Sequence, residues 1–182
     1  MNRFAGEEKR EEKPMKPLTQ FREIAILPIL IAAALFVVAP ARATPQSGVT
    51  SMPIADGTFD EIDVHVKTGA WKALIDTKGA SDLHLVQNTV IPGGTFGWHT
   101  HPGPSLVIVV HGAATVYEGD DPTCTPRVVQ APSTFVDSGG DSVHLVRNEG
   151  TVNLVVVVSR IVPEGAAQRI DFPNPHPGIC PQ

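Results

Sequence analysis

The segment Gly93-Gly94-Thr95-Phe96-Gly97-Trp98-His99-Thr100-His101-Pro102-Gly103-Pro104 holds the first residues in this chain whose types and spacing could do chemistry. His99 and His101 are separated by one residue, so on an extended segment both imidazoles point to the same side. Inside a barrel, two such rings in contact make a poor core unless something binds them. A divalent transition metal does so, because neutral imidazole nitrogen is a good ligand for zinc, iron, copper and nickel. A surface position or a satisfied core is the plainer reading, and the pair alone does not choose.

The elements that must position this pair read as strands. Short β-prone runs occur at Ile62–Val66, Trp71–Asp76, Leu83–Ile91, Leu106–Val110, Ala114–Tyr117, Arg127–Gln130, Val143–Arg147 and Val152–Val162. Turn residues such as Pro92-Gly93-Gly94, Glu118-Gly119-Asp120-Asp121 and Ser138-Gly139-Gly140-Asp141 bound them. Many short strands at this spacing predict an antiparallel sandwich or barrel. The apolar run Leu154–Val158 reads as a strand covered on both faces. No stretch after residue 43 sustains an amphipathic helix.

Wider spacing adds a third histidine. Gly93, five residues, His99, one residue, His101, and then Gly112 resemble the first motif of the cupin superfamily. His144, three residues and Asn148 resemble the second. The resemblance spans Gly93–Asn148 by motif and Asp60–Val162 by strand pattern. It implies an all-β fold, a double-sheet jelly-roll barrel with one divalent transition metal in its mouth, held by His99, His101 and His144. Fe, Zn, Mn, Ni or Cu would each fit. It further implies a small-molecule ligand or substrate and, because cupin barrels dimerise by sharing edge strands, a homodimer.

Two departures qualify the match. Cupins commonly place a carboxylate ligand four residues after the second His, and here that position is Ser105. The turn of the second motif reads Gly139-Gly140-Asp141 where a Pro-x-Gly is usual. The expected ligand set is three neutral imidazoles, which leaves positions open for water, oxygen or a chelating anion. A degenerate, metal-free barrel is the alternative.

Other candidates have plainer readings. Trp98 should point away from His99 and pack beneath the site; stacking on a substrate is the alternative. Ser105, Trp98 and Tyr117 are candidate pocket or supporting residues, and Tyr117 and Arg147 could reach an anion. Glu118, Asp137 and Asp141 read first as solvated loop carboxylates and second as acceptors for a ligating imidazole. His84 reads as core or surface and His111 as a turn residue, while His65 and His176 lack metal-like spacing. No phosphate-cradling GxxxxGK[ST], GxGxxG or GxSxG occurs.

Composition sets the compartment and the excluded partners. The 182 residues carry a net charge of −5, but residues 1–43 hold 7 of the 14 Lys and Arg and only 5 of the 19 Asp and Glu. The remainder is thus more acidic than the average and lacks the cationic footprint of a nucleic-acid binder. Ile24–Ala39 is 16 uncharged residues, short for a bilayer-spanning helix, and Ala41-Arg42-Ala43 follows it. A signal peptide 1–43, cleaved after Ala43, is expected, with Met15 as the alternative start. The protein would then be periplasmic or secreted, with no stable membrane association after cleavage; an uncleaved anchor is the alternative. The expected organisation is signal peptide 1–43, polar leader 44–59, and a barrel 60–182 with a Pro-rich tail.

Export would favour a disulfide between the two cysteines, Cys124 and Cys180. Closing a loop of that length stabilises by roughly 4 kcal/mol on the chain-entropy account. Two free thiols are the alternative. The functional expectation is a metal-binding cupin acting as a non-haem Fe(II) dioxygenase-type oxidoreductase on a small chelating substrate. A non-catalytic periplasmic metal or ligand binding protein, and a zinc-dependent lyase or isomerase, are the competing classes.

Overall fold

The structure, a computed structural model, describes residues 42–182. The apolar run Ile24–Ala39, the alternative start at Met15 and all of the expected signal peptide except its last two residues lie outside them.

Long-range antiparallel pairing organises the chain. The strands in order are β1 (Ser47–Phe59), β2 (Asp63–Thr68), β3 (Trp71–Asp76), β4 (Ser81–Thr95), β5 (His99–Thr100), β6 (Ser105–His111), β7 (Ala113–Glu118), β8 (Arg127–Gln130), β9 (Thr134–Asp137), β10 (His144–Arg147), β11 (Leu154–Pro163) and β12 (Ile170–Asp171). No helix occurs among the described residues. One leaf runs β1–β4–β11–β6–β9 and the other β8–β7–β10–β5–β12, and the Arg147↔Thr95 pair joins β10 to β4. The two leaves form a nearly closed, barrel-like double sheet, which is the fold class expected from the strand pattern and the cupin resemblance.

Side-chain alternation explains which face closes on which. In β6, Ser105, Val107 and Val109 are buried while Leu106, Ile108 and Val110 are exposed. In β11, Leu154, Val156 and Val158 point inward, and Val155 and Val157 are half-buried, so this strand is covered fully on one face only. Val90, Ala114, Val116, Val129, Phe135 and Val146 complete a core drawn from both leaves. Burying such apolar side chains is the main stabilising term, at about 1.5–3 kcal/mol for each large one.

Several stretches differ from the sequence expectation. Residues 44–59, expected as a polar leader, contribute the 13-residue β1, which pairs with β4 from Ser47↔Thr95 to Phe59↔Ser81. Their polarity reflects an edge position, where Pro53 is tolerated. Thr44 is itself buried: its N–H donates to the Phe172 carbonyl (3.1 Å) and its Oγ1 accepts from the Trp98 N–H (2.6 Å). Pro92-Gly93-Gly94, expected as a turn, lies within β4. There Ser47 and Val49 of β1 face Thr95 and Val90, so β4 bulges outward, and Gly93 takes the left-handed φ of 77°. The bulge lets β4 leave one leaf and reach the other. Strands β5, β9 and β12 have no counterpart among the expected runs.

Candidate metal centre

Strands β5 and β10 bring two of the three imidazoles together. His144 is the direct cross-strand partner of His99, so their side chains leave the sheet on the same side. Their ring centroids are 4.3 Å apart, and His101 follows at 4.8 Å from His99 and 5.7 Å from His144. One ring nitrogen from each of the three lies within 4.8 Å of the others, and all three residues are buried.

Backbone carbonyls set which nitrogen faces inward. His99 Nδ1 is 2.7 Å from the Gly97 oxygen, His101 Nδ1 is 2.6 Å from the Gln168 oxygen, and His144 Nδ1 is 3.4 Å from the Ser142 oxygen. A carbonyl only accepts, so each Nδ1 carries the hydrogen and each neutral ring keeps its lone pair on Nε2. This is the outer-sphere arrangement that orients metal-binding histidines. Burial favours the neutral form. It pushes His99 well below its ordinary pKa, with the His144 and Arg169 charges adding to the shift. Burial, then Arg160, lowers His101 to about 4. His144 is also lowered by burial, against the opposing pull of Asp137. Three neutral imidazoles gathered at one point fit a divalent transition metal in donor chemistry and in tautomer.

Glycine holds the approach to β5. Gly97 has a φ of 71°, and a Cβ there would collide with the Thr44 carbonyl oxygen. Only glycine lets the chain pass this close while offering its own carbonyl to His99.

A cavity of about 280 Å³ opens over the imidazoles. Its walls are mostly apolar (Val86, Val107, Phe135, Val146, Val156, Val158), and its polar groups include the three histidines, Ser105, Asp137, Arg160 and Arg169. Arg160 Nε donates to Ser105 Oγ at 2.9 Å, and its Nη2 lies 3.2 Å from His101 Nε2. A hydrogen bond to that nitrogen and a metal bond compete for the same lone pair. Arg169 Nη2 donates to the Phe96 carbonyl at 2.6 Å.

The supporting residues divide. Ser105 lines the cavity. Trp98 does not: it is fully buried on the opposite side from His99, packed with Tyr117, Leu145 and the cystine, and its Nε1 donates to the Pro181 carbonyl at 2.9 Å. The Cys124–Cys180 disulfide is present and ties the Pro-rich tail beneath that indole. Tyr117 faces away from the cavity, with its hydroxyl donating to Glu149 Oε1 at 2.8 Å. Arg147 lies outside the cavity too, and of the Leu106–Val110 run only Val107 lines it.

Among the plainer candidates, Asp141 is exposed, as expected of a loop carboxylate, whereas Glu118 closes β7 and is half-buried, pairing with Arg127 at 3.0 Å. Asp137 is different. It is buried, lines the cavity, and has Oδ2 3.3 Å from His101 Nε2. Its signal was the alternation Thr134-Phe135-Val136-Asp137, which puts Phe135 and Asp137 on one face of a four-residue strand. His84 contacts Asp56 at 2.6 Å near the cavity rim, and His111 and His65 are exposed.

No family model matches the chain, and no curated protein does. Solved structures that it is similar to include a polyketide cyclase from Streptomyces resistomycificus (16% identity, 74% of this chain and 80% of that one, TM-score 0.48). A cupin-like protein from Thermotoga maritima (18%, 50% and 65%, 0.41) is another, as is a Klebsiella pneumoniae protein with a double-stranded β-helix domain (22%, 49% and 73%, 0.41). These likenesses are partial and concern the fold; they add nothing to the side-chain geometry.

Proposed function

We propose that this protein holds one divalent transition metal between His99, His101 and His144 and presents it to a small anionic, metal-chelating molecule in the cavity above. The observation that carries the reading is the anchoring of all three Nδ1 atoms on backbone carbonyls, which turns three neutral lone pairs towards one point.

When bound, the metal would supply Lewis acidity and, for iron, redox chemistry with dioxygen. The protein's own residues do the rest. The valines and Phe135 keep water from the reacting end of the ligand. Burial lowers the Arg160 guanidinium to about 10, so it stays charged near neutral pH. Arg160 and Arg169 are the two cations on the cavity wall and would hold an anionic group of the ligand.

The activity best supported by three neutral imidazoles under an apolar cavity is a dioxygenase-type oxidation of a small chelating substrate. We read the protein as exported, with 1–43 removed as a signal peptide; the Cys124–Cys180 disulfide supports this, since such bonds persist in oxidising compartments.

Elemental analysis of protein purified without added metal tests the site. About one metal per chain is expected, and none after His99→Ala plus His144→Ala. Iron together with substrate-dependent oxygen uptake supports the oxidation. Tight zinc or copper with no turnover across a panel of small carboxylates would replace it with a metal or ligand receptor.

A further inference from the structure

We propose that Asp137 supplies the metal site with the anionic ligand that position 105 lacks, delivered from the neighbouring strand. The inference rests on the three-histidine reading above and adds a fourth donor to it.

Register is the first observation. Ser105 opens β6 and Asp137 closes β9, and the two are direct antiparallel partners. Directly opposed residues project to the same side of the sheet with Cβ atoms about 5 Å apart. A carboxylate at 137 therefore reaches the region that one at 105 would reach.

The state of the carboxylate is the second. Asp137 is 7% exposed. Its Oδ1 accepts the Gly139 N–H at 2.9 Å, which fixes the group's orientation. Its Oδ2 is buried without any hydrogen-bond partner and lies 3.3 Å from His101 Nε2, while Oδ1 is 3.6 Å from His144 Nδ1. Capping the 138–141 turn explains Oδ1 alone. A buried carboxylate oxygen with no donor is costly unless a cation completes it. Here the free oxygen sits beside the inward lone pair of His101, where a metal shared by the imidazoles would meet it. Gly139 preserves this arrangement, because its φ is 70° and a Cβ on it would collide with the Gly103 carbonyl oxygen.

The site would then be three imidazoles and one carboxylate, with one less positive charge than imidazoles alone would leave. Arg160, bonded to Ser105 Oγ, stands where a longer acidic side chain at position 105 would crowd it. Moving the anion to position 137 leaves room for this cation to meet an anionic ligand.

Cobalt(II) titration of the full chain tests the proposal, with affinity and the visible ligand-field spectrum as readouts. Wild type should bind one ion, and His99→Ala plus His144→Ala should abolish binding. Asp137→Asn, which keeps the acceptor for Gly139, should weaken binding by about tenfold or more and shift the cobalt bands. If Asp137→Asn binds cobalt as tightly as wild type with an unchanged spectrum, the carboxylate is not a ligand, and the three-histidine reading stands without it. If wild type binds no cobalt, both fall. Should Asp137→Asn fail to fold, infrared difference spectra of the wild type on adding zinc decide. A displaced buried carboxylate stretch is expected, and an unmoved carboxylate region overturns the assignment.

Discussion

The β2–β3 hairpin and the β5 segment are opposites in their order and their burial. The hairpin pairs six residues with six in unbroken register, from Asp63↔Asp76 to Thr68↔Trp71, yet only Ala73 among them is even half-buried. β5 has two residues, and both are buried. Regular backbone pairing thus does not by itself make an interior. The β5 end is enclosed by groups distant in sequence: Thr44, the 168–172 segment, β10 and the cystine-bound tail. The two tryptophans mark the contrast, with Trp71 62% exposed on the hairpin and Trp98 fully buried beneath the imidazoles. The three imidazoles gather where non-local packing, rather than strand length, encloses the chain.

Substitution at the two tryptophans should separate the regions most. Trp98→Ala is expected to cost about 3–5 kcal/mol, the usual range for truncating a fully buried aromatic, in urea unfolding of the metal-free protein. A loss below about 1 kcal/mol would mean that the indole does not support β5. Removing the cystine with Cys124→Ser plus Cys180→Ser should cost somewhat less, about 2–4 kcal/mol, and should loosen the tail around Trp98. Faster amide exchange at 98–101 with unchanged exchange in β2 and β3 would show that the tail acts on the site end specifically.

Acidity offers a third separation. His101 has a folded pKa of about 4 against an ordinary value of 6.5, because burial and Arg160 disfavour its charged form. His99, His144 and Asp137 face it as well. The unfolded chain therefore takes up the proton first as pH falls. The stability of the metal-free protein should be complete above 6.5 and decline as pH drops towards 4. Replacing His101 by Gln should make that decline shallower, leaving the part contributed by buried His99 and His144; an equally steep profile would place the titration elsewhere. Smallest of all should be Trp71→Ala, at about 0.5 kcal/mol or less, as is usual for exposed positions. A larger loss would show that the hairpin is covered in solution, and sedimentation would then identify a second copy as its cover.

Much of this arrangement could be read before any coordinates, and the parts that could not share a cause. His99 and His101 are legible because a period of two puts them on one face, and His144 because a second motif follows at a fitting distance. Asp137 was hidden by its short strand and by the glycine-rich turn after it, which reads as solvated loop. Arg160 was hidden by the apolar run in which it lies; its partner is Ser105, 55 residues away. β1 was hidden by Gly48, Pro53, Gly57 and its polar residues, all acceptable on an edge strand whose partner begins at Ser81. In each case local periodicity carried the information about facing, and cross-strand register carried the information about neighbours. Only the first is written locally in the chain.

Imidazoles from β5, from the residue after it and from β10 are proposed to share one cation. Anomalous diffraction from crystals of the metal-loaded protein, recorded at the absorption edge of the bound element, tests it most directly. A single peak is expected about 2.0–2.2 Å from Nε2 of His99, His101 and His144. A peak bound to other side chains, such as His84 and Asp56 at the rim, or loaded protein with no peak among the three rings, would contradict it.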